Sequence, residues 1–496
     1  MPKRRRRVLV IGLDGATWQL IEPLTERGHL PHLKSLLDSS RRGVLRATFP
    51  PVTAPSWTSF ATGVNPGRHG VFDFFELEPG RYRKRIVDLS RWPVDPIWRR
   101  VEAAGRRAVV VNFPALHPAE VGRGVSIAGM MARGMSSSFF EPRSLYHELR
   151  RELGEYEIDA PWPGGGEESL PAYFAAVERC TRNRGRWAER ILRGAPWDLA
   201  LVVFVTPDRL QHKAWSALIQ ASRCRPARGS VGEAALRAFA AMDEAIGALV
   251  LRTGPRDDVL VASDHGFGSA HGVFEPNVFL AEAGLLVRRP LPLAAVRIGK
   301  ATRSAWRRVP LVRRRRSTGA GVGDATTGQA FESLVDWSRS RAFALSATDM
   351  GIYLNTRGRF PEGIVSPGVE RESVVRDLIA AFEDARNPSD GSRLRIRAIP
   401  RESIFSGPFV ELAPDLLFVV EGGSVHCGTR VDGSVLHEAG FLRGDGNHRL
   451  EGIYAHRGEG VAPGTDSRGV EMVDMAPTIL ERMGIGGGEE MEGAPL

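Results

Sequence analysis

An α/β fold built on a largely parallel sheet covered on both faces is the architecture this sequence predicts, and three observations carry it. Short apolar runs recur at 8–13, 108–111, 199–205 and 259–262, with no polar residue on alternate positions. Strands buried on both faces read this way, because neither side meets water. Helical stretches fall between them, at 96–104, 171–193 and 232–252. Strands alternating with helices call for crossover helices on both faces of one sheet. The third observation is that three of these runs lead directly into acids: Asp14, Asp208 and Asp264.

The whole chain is compatible with this. With 496 residues, 42% hydrophobic and 25% charged, it has the composition of a soluble globular protein. Net charge is +9. That suits an anionic substrate, or weak attraction to membrane or nucleic acid, and decides among none of them. Cys180, Cys224 and Cys427 are scattered, which argues against a disulfide framework or a cysteine zinc site and favours a reducing compartment. The basic leader Lys3 to Arg7 precedes an apolar run that stops at Asp14, shorter than the roughly 7–15 residues of a signal peptide's apolar region. No apolar run approaches the roughly 20 residues of a membrane helix. A cytoplasmic protein is expected.

Element by element, 8–13 is the first buried strand, and 18–37 has helical spacing divided by Pro23, Gly28 and Pro31. A Thr- and Ser-rich loop, Thr48-Phe-Pro-Pro-Val-Thr53-Ala-Pro-Ser56, then leads into a short helix with Pro55 in its first turn, running through Ser56 to Thr62, that Gly63 ends. Thr53 is placed just ahead of that helix, where free N–H groups favour an anion. Residues 130–166 show no clear period and read as an excursion from the core. Residues 342–345, 351–355 and 415–420 resume strand character, 370–383 is helical, and 473–480 opens a last helix with Asp474 as cap. The chain thus divides into a first part of a catalytic core (1–274), a basic, partly flexible insert (275–330) and a second part of the core (331–496). The insert carries Arg303, Arg307, Arg308 and the run Arg313 to Arg316. A solvated surface excursion is the first reading, and a rim for anions or lipid headgroups, giving peripheral membrane contact, is the alternative. No stable nucleic-acid partner is expected.

Ligands of an open parallel sheet bind beyond the carboxyl ends of its strands. Three carboxylates gathered there repel one another unless they share cations. His212 follows Asp208 by four positions and His265 follows Asp264 directly. Carboxylate with neutral imidazole is a donor set for zinc that also accepts manganese. His448, in Gly446-Asn-His448-Arg, is a further candidate in a glycine-flanked loop. Each feature has a plain structural explanation by itself: a strand-end Asp caps helices, a lone His sits on surfaces, and hydroxyls cap turns. The combination is what points to chemistry.

Taken in order, Leu9-Val-Ile-Gly-Leu-Asp14-Gly15, the Thr53 loop running to Thr62-Gly63, Pro66-Gly-Arg-His-Gly70, Pro207-Asp208 with His212, and Ser263-Asp-His-Gly266 resemble the type I phosphodiesterase/nucleotide pyrophosphatase branch of the alkaline phosphatase superfamily. The resemblance implies an alkaline-phosphatase-like sandwich with inserted cap segments. It also implies two divalent metal ions, Zn²⁺ or alternatively Mn²⁺. Asp208, His212 and His448 would hold one, and Asp14, Asp264, His265 and the Thr53 oxygen the other. Thr53 would be the nucleophile of a phospho-threonine route to small phosphodiesters, or pyrophosphates. Ser56 stands as the donor to a phosphoryl oxygen. A phosphomonoesterase, a phosphonate or phosphotransfer enzyme, and a non-catalytic binding protein acting through the basic insert are the alternatives.

Overall fold

The computed structural model describes residues 5–87, 93–114, 116–132, 138–289, 327–441 and 443–496. Nine strands form the main sheet, in the order Gly464–Glu471, Arg41–Arg46, Glu451–Arg457, Asp258–Ala262, Val8–Leu13, Leu199–Phe204, Ala108–Phe113, Val125–Ala128, Phe140–Glu141. The five from Asp258–Ala262 to Val125–Ala128 run parallel. Glu451–Arg457 joins antiparallel to Asp258–Ala262. The expected α/β sheet with helices on its faces is therefore the observed one.

Alternation along the central strands explains their unbroken apolar sequence. Leu9, Ile11 and Leu13 pack into one core with Val202, Phe204 and the helices Leu170–Gly194 and Val231–Val250. Val8 and Val10 face the opposite core, with Leu201, Val203, Trp57, Phe60 and Trp98. Successive strand residues point to opposite faces, so a strand with a core on each side has no position left for a polar side chain. Burying each such aliphatic side chain contributes about 1.5–3 kcal/mol.

A second, smaller sheet has the order Ala342–Phe343, Gly351–Leu354, Leu416–Val420, Ile396–Pro400. It is antiparallel, and helix Val369–Glu383 lends Leu378 and Phe382 to its core. Residues 276–289, assigned from sequence to the insert, belong to this body: helix Pro276–Glu282 buries Val278 and Leu280, and Leu286 follows them into the core. The rest of the insert's arginine-rich stretch, 290–326, lies outside the described residues.

Two further local expectations change. The 130–166 stretch holds the sheet's edge strand Phe140–Glu141 and helix Arg143–Leu153. That helix carries Leu145, Leu149 and Leu153 at helical spacing, of which only Leu149 is buried, and the reading of the sequence overlooked it. The nucleophile loop's helix runs Thr53–Thr62, so Thr53 is its first residue and Pro55 lies within the first turn. Pro tolerates that place because first-turn N–H groups have no intrahelical acceptor. Among the described residues, no helix is long and apolar enough to cross a membrane.

Candidate active site

Adjacent parallel strands bring the three acids together. Gly12 pairs with Ala262 and Leu13 with Phe204, so Asp14 and Asp264 emerge side by side, and Asp208 follows in the first turn of helix Thr206–Arg223. Backbone bonds lock the junction: Asp14 N–H donates to Phe204 O and Asp208 N–H to Asp14 O, both at 3.0 Å. Gly15 N–H donates to Asp264 Oδ1 at 3.1 Å. Gly15 holds φ +71°, and a Cβ there would lie 3.2 Å from the Asp208 Cα. Only glycine is at ease in that conformation at that distance.

His212 lies one helical turn beyond Asp208, its Nε2 3.2 Å from Asp208 Oδ1. His448 is on a strand, Gly446–Arg449, paired antiparallel with Gly266–Ser269, and not in a loop as its glycines had implied. Its Nε2 is 3.4 Å from Asp208 Oδ1 and 3.0 Å from His212 Nε2. The second group is Asp14, Asp264 and His265, with His265 Nε2 3.3 Å from Asp264 Oδ2 and 3.7 Å from Asp14 Oδ1. Within each group the ligand atoms lie within 4.8 Å of one another. The His265 and His448 rings stack at 3.6 Å between centroids, so the two groups adjoin.

These side chains fit cations. His448 Nδ1 faces Pro51 O at 2.8 Å, His265 Nδ1 faces Gly266 O at 3.0 Å and His212 Nδ1 faces Gly446 O at 3.3 Å. A carbonyl only accepts, so each Nδ1 carries the proton and each neutral ring turns a bare Nε2 lone pair toward the acids. Both oxygens of Asp14, Oδ1 of Asp208 and Oδ2 of Asp264 are buried with no hydrogen-bond partner. Lone pairs and carboxylate oxygens at such distances repel unless positive charge lies between them. Burial, then the neighbouring carboxylates, pushes the Asp14 carboxyl well above its ordinary range. Burial does the same at Asp264. At Asp208 burial is opposed by the Arg209 guanidinium.

Thr53 is 2% exposed, and its Oγ1 is 3.2 Å from His265 Nε2. Thr53 thus stands beside the second group. Ser56 is fully buried one turn on, with its Oγ 2.8 Å from Thr48 Oγ1. Asp14, Thr53, Asp208, His212, Asp264, His265 and His448 therefore meet at one end of the sheet, and Ser56 lies one turn along the helix from Thr53.

Sequence reasoning missed several supports. Arg209, next to Asp208, reaches its Oδ2 at 2.9 Å and Asp159 Oδ2 at 2.6 Å, so the 130–166 stretch delivers a carboxylate to the site's flank. Asp445 was passed over as well. The helix carrying Asp208 breaks at Ala214 (φ −153°, ψ 45°), and the Asp445 carboxylate accepts the N–H groups of Trp215 and Ser216 at 2.6 and 2.9 Å. It caps the restarted helix and ties it to the strand bearing His448. Neither residue carries a spacing signal; an arginine adjacent to a strand-end acid was the available hint for Arg209.

His69 ends the one-turn helix Pro66–His69 and is buried, 2% exposed. Its Nδ1 accepts the Val71 N–H at 3.1 Å, and its Nε2–H donates to Ser59 Oγ at 2.9 Å, pinning the Thr53–Thr62 helix from below. Burial pulls its pKa down to about 3. An unfolded histidine titrates near 6.5, so below about pH 6.5 the unfolded chain takes up a proton that the native state refuses. This contribution is fully present above that pH and is lost as pH falls toward 3. Between pH 7.5 and 4.5 it amounts to about 2–3 kcal/mol. Urea unfolding at both values is expected to show a smaller acid loss for His69→Gln than for wild type; parallel losses would exclude this histidine as the cause.

The type I phosphodiesterase / nucleotide pyrophosphatase family model matches residues 8–433. The chain belongs to that family. It is accordingly a phosphoester hydrolase. Phosphonoacetate hydrolase from Sinorhizobium meliloti 1021, solved with phosphonoacetate, superposes with a TM-score of 0.57 at 16% identity, covering 97% of this chain and 96% of that one. A mutant of alkaline phosphatase PafA gives 0.52 at 14% identity over 99% of both chains. At these identities the likeness is one of fold. No sequence among the curated proteins compared matches this family member.

Proposed function

We propose that this chain hydrolyses phosphodiesters through a phospho-threonine intermediate on Thr53, with two divalent ions, zinc or manganese, held by the two acid–imidazole groups. The observation that carries the reading is the Thr53 hydroxyl, buried 3.2 Å from His265 Nε2 and set beside four carboxylate oxygens that have no hydrogen-bond partner. Asp208, His212 and His448 would hold one ion, and Asp14, Asp264, His265 and Thr53 Oγ1 the other. When bound, such ions supply positive charge that favours the ionised nucleophile and neutralises the leaving oxygen.

The residues of the chain do the rest. Thr53 Oγ forms a bond to phosphorus as the bond to one ester oxygen breaks, and that oxygen departs as an alcohol once protonated. Water then attacks the phospho-threonine, and the Thr53 oxygen leaves with the bonding pair. First-turn N–H groups of the Thr53–Thr62 helix carry no side-chain cap and favour the anion's approach. Ser56 donates to a phosphoryl oxygen when Thr48 supplies the proton between their hydroxyls. A cytoplasmic location is part of this reading, supported by the scattered, unpaired cysteines.

The test is a side-by-side assay of metal-loaded protein on bis(4-nitrophenyl) phosphate, 4-nitrophenyl phosphate and phosphonoacetate. The diester is expected to have the highest kcat/KM. A preference for the monoester or for phosphonoacetate would reassign the substrate class.

A further inference from the structure

A groove of about 610 Å³ opens beside the metal groups, with Pro51 and His448 in its wall. Those two residues are bonded to each other through Pro51 O and His448 Nδ1 at 2.8 Å, so the groove begins two residues from Thr53. The second body supplies its other wall. Ile396–Pro400 is the edge strand of that sheet, paired on one side only, to Leu416–Val420. Phe49, Ile396, Val419 and Leu450 line the space and are each only partly buried. Such a wall beside polar groups is what organic ligands occupy.

The charges along it are specific. Arg393, Arg395 and Arg397 alternate along one edge, and all are exposed. Glu421 pairs with Arg395 at 2.7 Å. Arg397 lies over the Phe49 ring at 5.8 Å. Arg393 Nε donates to a backbone carbonyl, that of Glu383. The Arg449 guanidinium, beside His448, is bonded to the carbonyls of Gly423, Asn447, His448 and Ser269. Neither Arg393, Arg397 nor Arg449 has a carboxylate within 4 Å among the described residues, and Glu383 and Glu451 are the remaining acids of the lining. Four arginines against three acids give the lining a net charge of +1, with Glu451 acting on Arg449 and leaving Arg393 and Arg397 the more open cations.

From this we infer that the groove seats one ester substituent of the substrate, an aryl or alkyl body ending in an anionic group. The body lies on Phe49, Ile396, Val419 and Leu450, and the anionic end meets Arg393 and Arg397. This rests on the phosphodiesterase reading and narrows its substrate class.

The test uses metal-loaded full-length protein and two diesters, 4-nitrophenyl phenyl phosphate and 4-nitrophenyl 4-carboxyphenyl phosphate. Wild type is expected to favour the carboxylate in kcat/KM by about fivefold, the scale of one partly exposed charge pair. In the double variant Arg393→Glu, Arg397→Glu the ratio, measured on the same enzyme, is expected to fall below one. Both positions are on an exposed edge, and an unchanged thermal midpoint confirms the fold. Turnover of both diesters by wild type without preference, or an unchanged ratio in the variant, overturns this inference alone. Failure of metal-loaded wild type to turn over either diester overturns the diesterase reading, and this inference with it.

Discussion

Thr53→Ala is expected to lower kcat by about 10⁴-fold or more while leaving the fold intact, the scale seen when a covalent nucleophile is removed. The loop holds four competing hydroxyls, and their bonding separates them. Thr58 Oγ1 donates to Ala54 O at 2.7 Å, inside its own helix. Ser59 Oγ is engaged by His69 and Ser56 Oγ by Thr48. Thr53 Oγ1 alone among these turns toward His265. Thr53→Ser keeps the oxygen and is expected to retain part of the activity. Ser56→Ala, which removes a donor, should slow turnover by about 10²–10³ without stopping it. Acid quench during turnover, followed by peptide mapping, locates the phosphate. Finding it on Ser56, or near-normal turnover by Thr53→Ala, would reject the assignment.

Chelation is expected to abolish turnover and to lower the thermal midpoint together, with Zn²⁺ or Mn²⁺ restoring both. Without cations, Asp14, Asp208 and Asp264 face each other and three Nε2 lone pairs in a buried space. An ion that binds only the native state at a thousandfold excess over its Kd stabilises by about 4 kcal/mol. Asp208→Ala should remove about one ion of two by elemental analysis, because it belongs to a single group. Activity and midpoint indifferent to chelators, with no metal in the purified protein, would reject the two-ion centre.

How much of this was legible in the sequence follows from the physics of each element. Val8–Leu13 and Leu199–Phe204 were readable because a strand buried on both faces must be apolar at every position. Asp14, Asp208, His212, Asp264 and His265 were readable because chain proximity to a strand end already places them. Arg143–Leu153 was legible but overlooked: Leu145, Leu149 and Leu153 recur every four residues among polar neighbours.

What the sequence by itself determined is a local matter: which segments are strands, which acids and imidazoles end them, and where a threonine meets a helix start. Only the tertiary structure decided how these meet. His448 reaches Asp208 across 240 residues because its strand pairs with Gly266–Ser269 and Asp445 caps a broken helix. Arg209 finds Asp159, and His69 finds Ser59, through folding around other segments. Hydrophobic periodicity records whether a side chain is buried and not which partner it meets, so long-range polar contacts leave no period to read. They are set by sheet register and by packing, which many segments determine jointly.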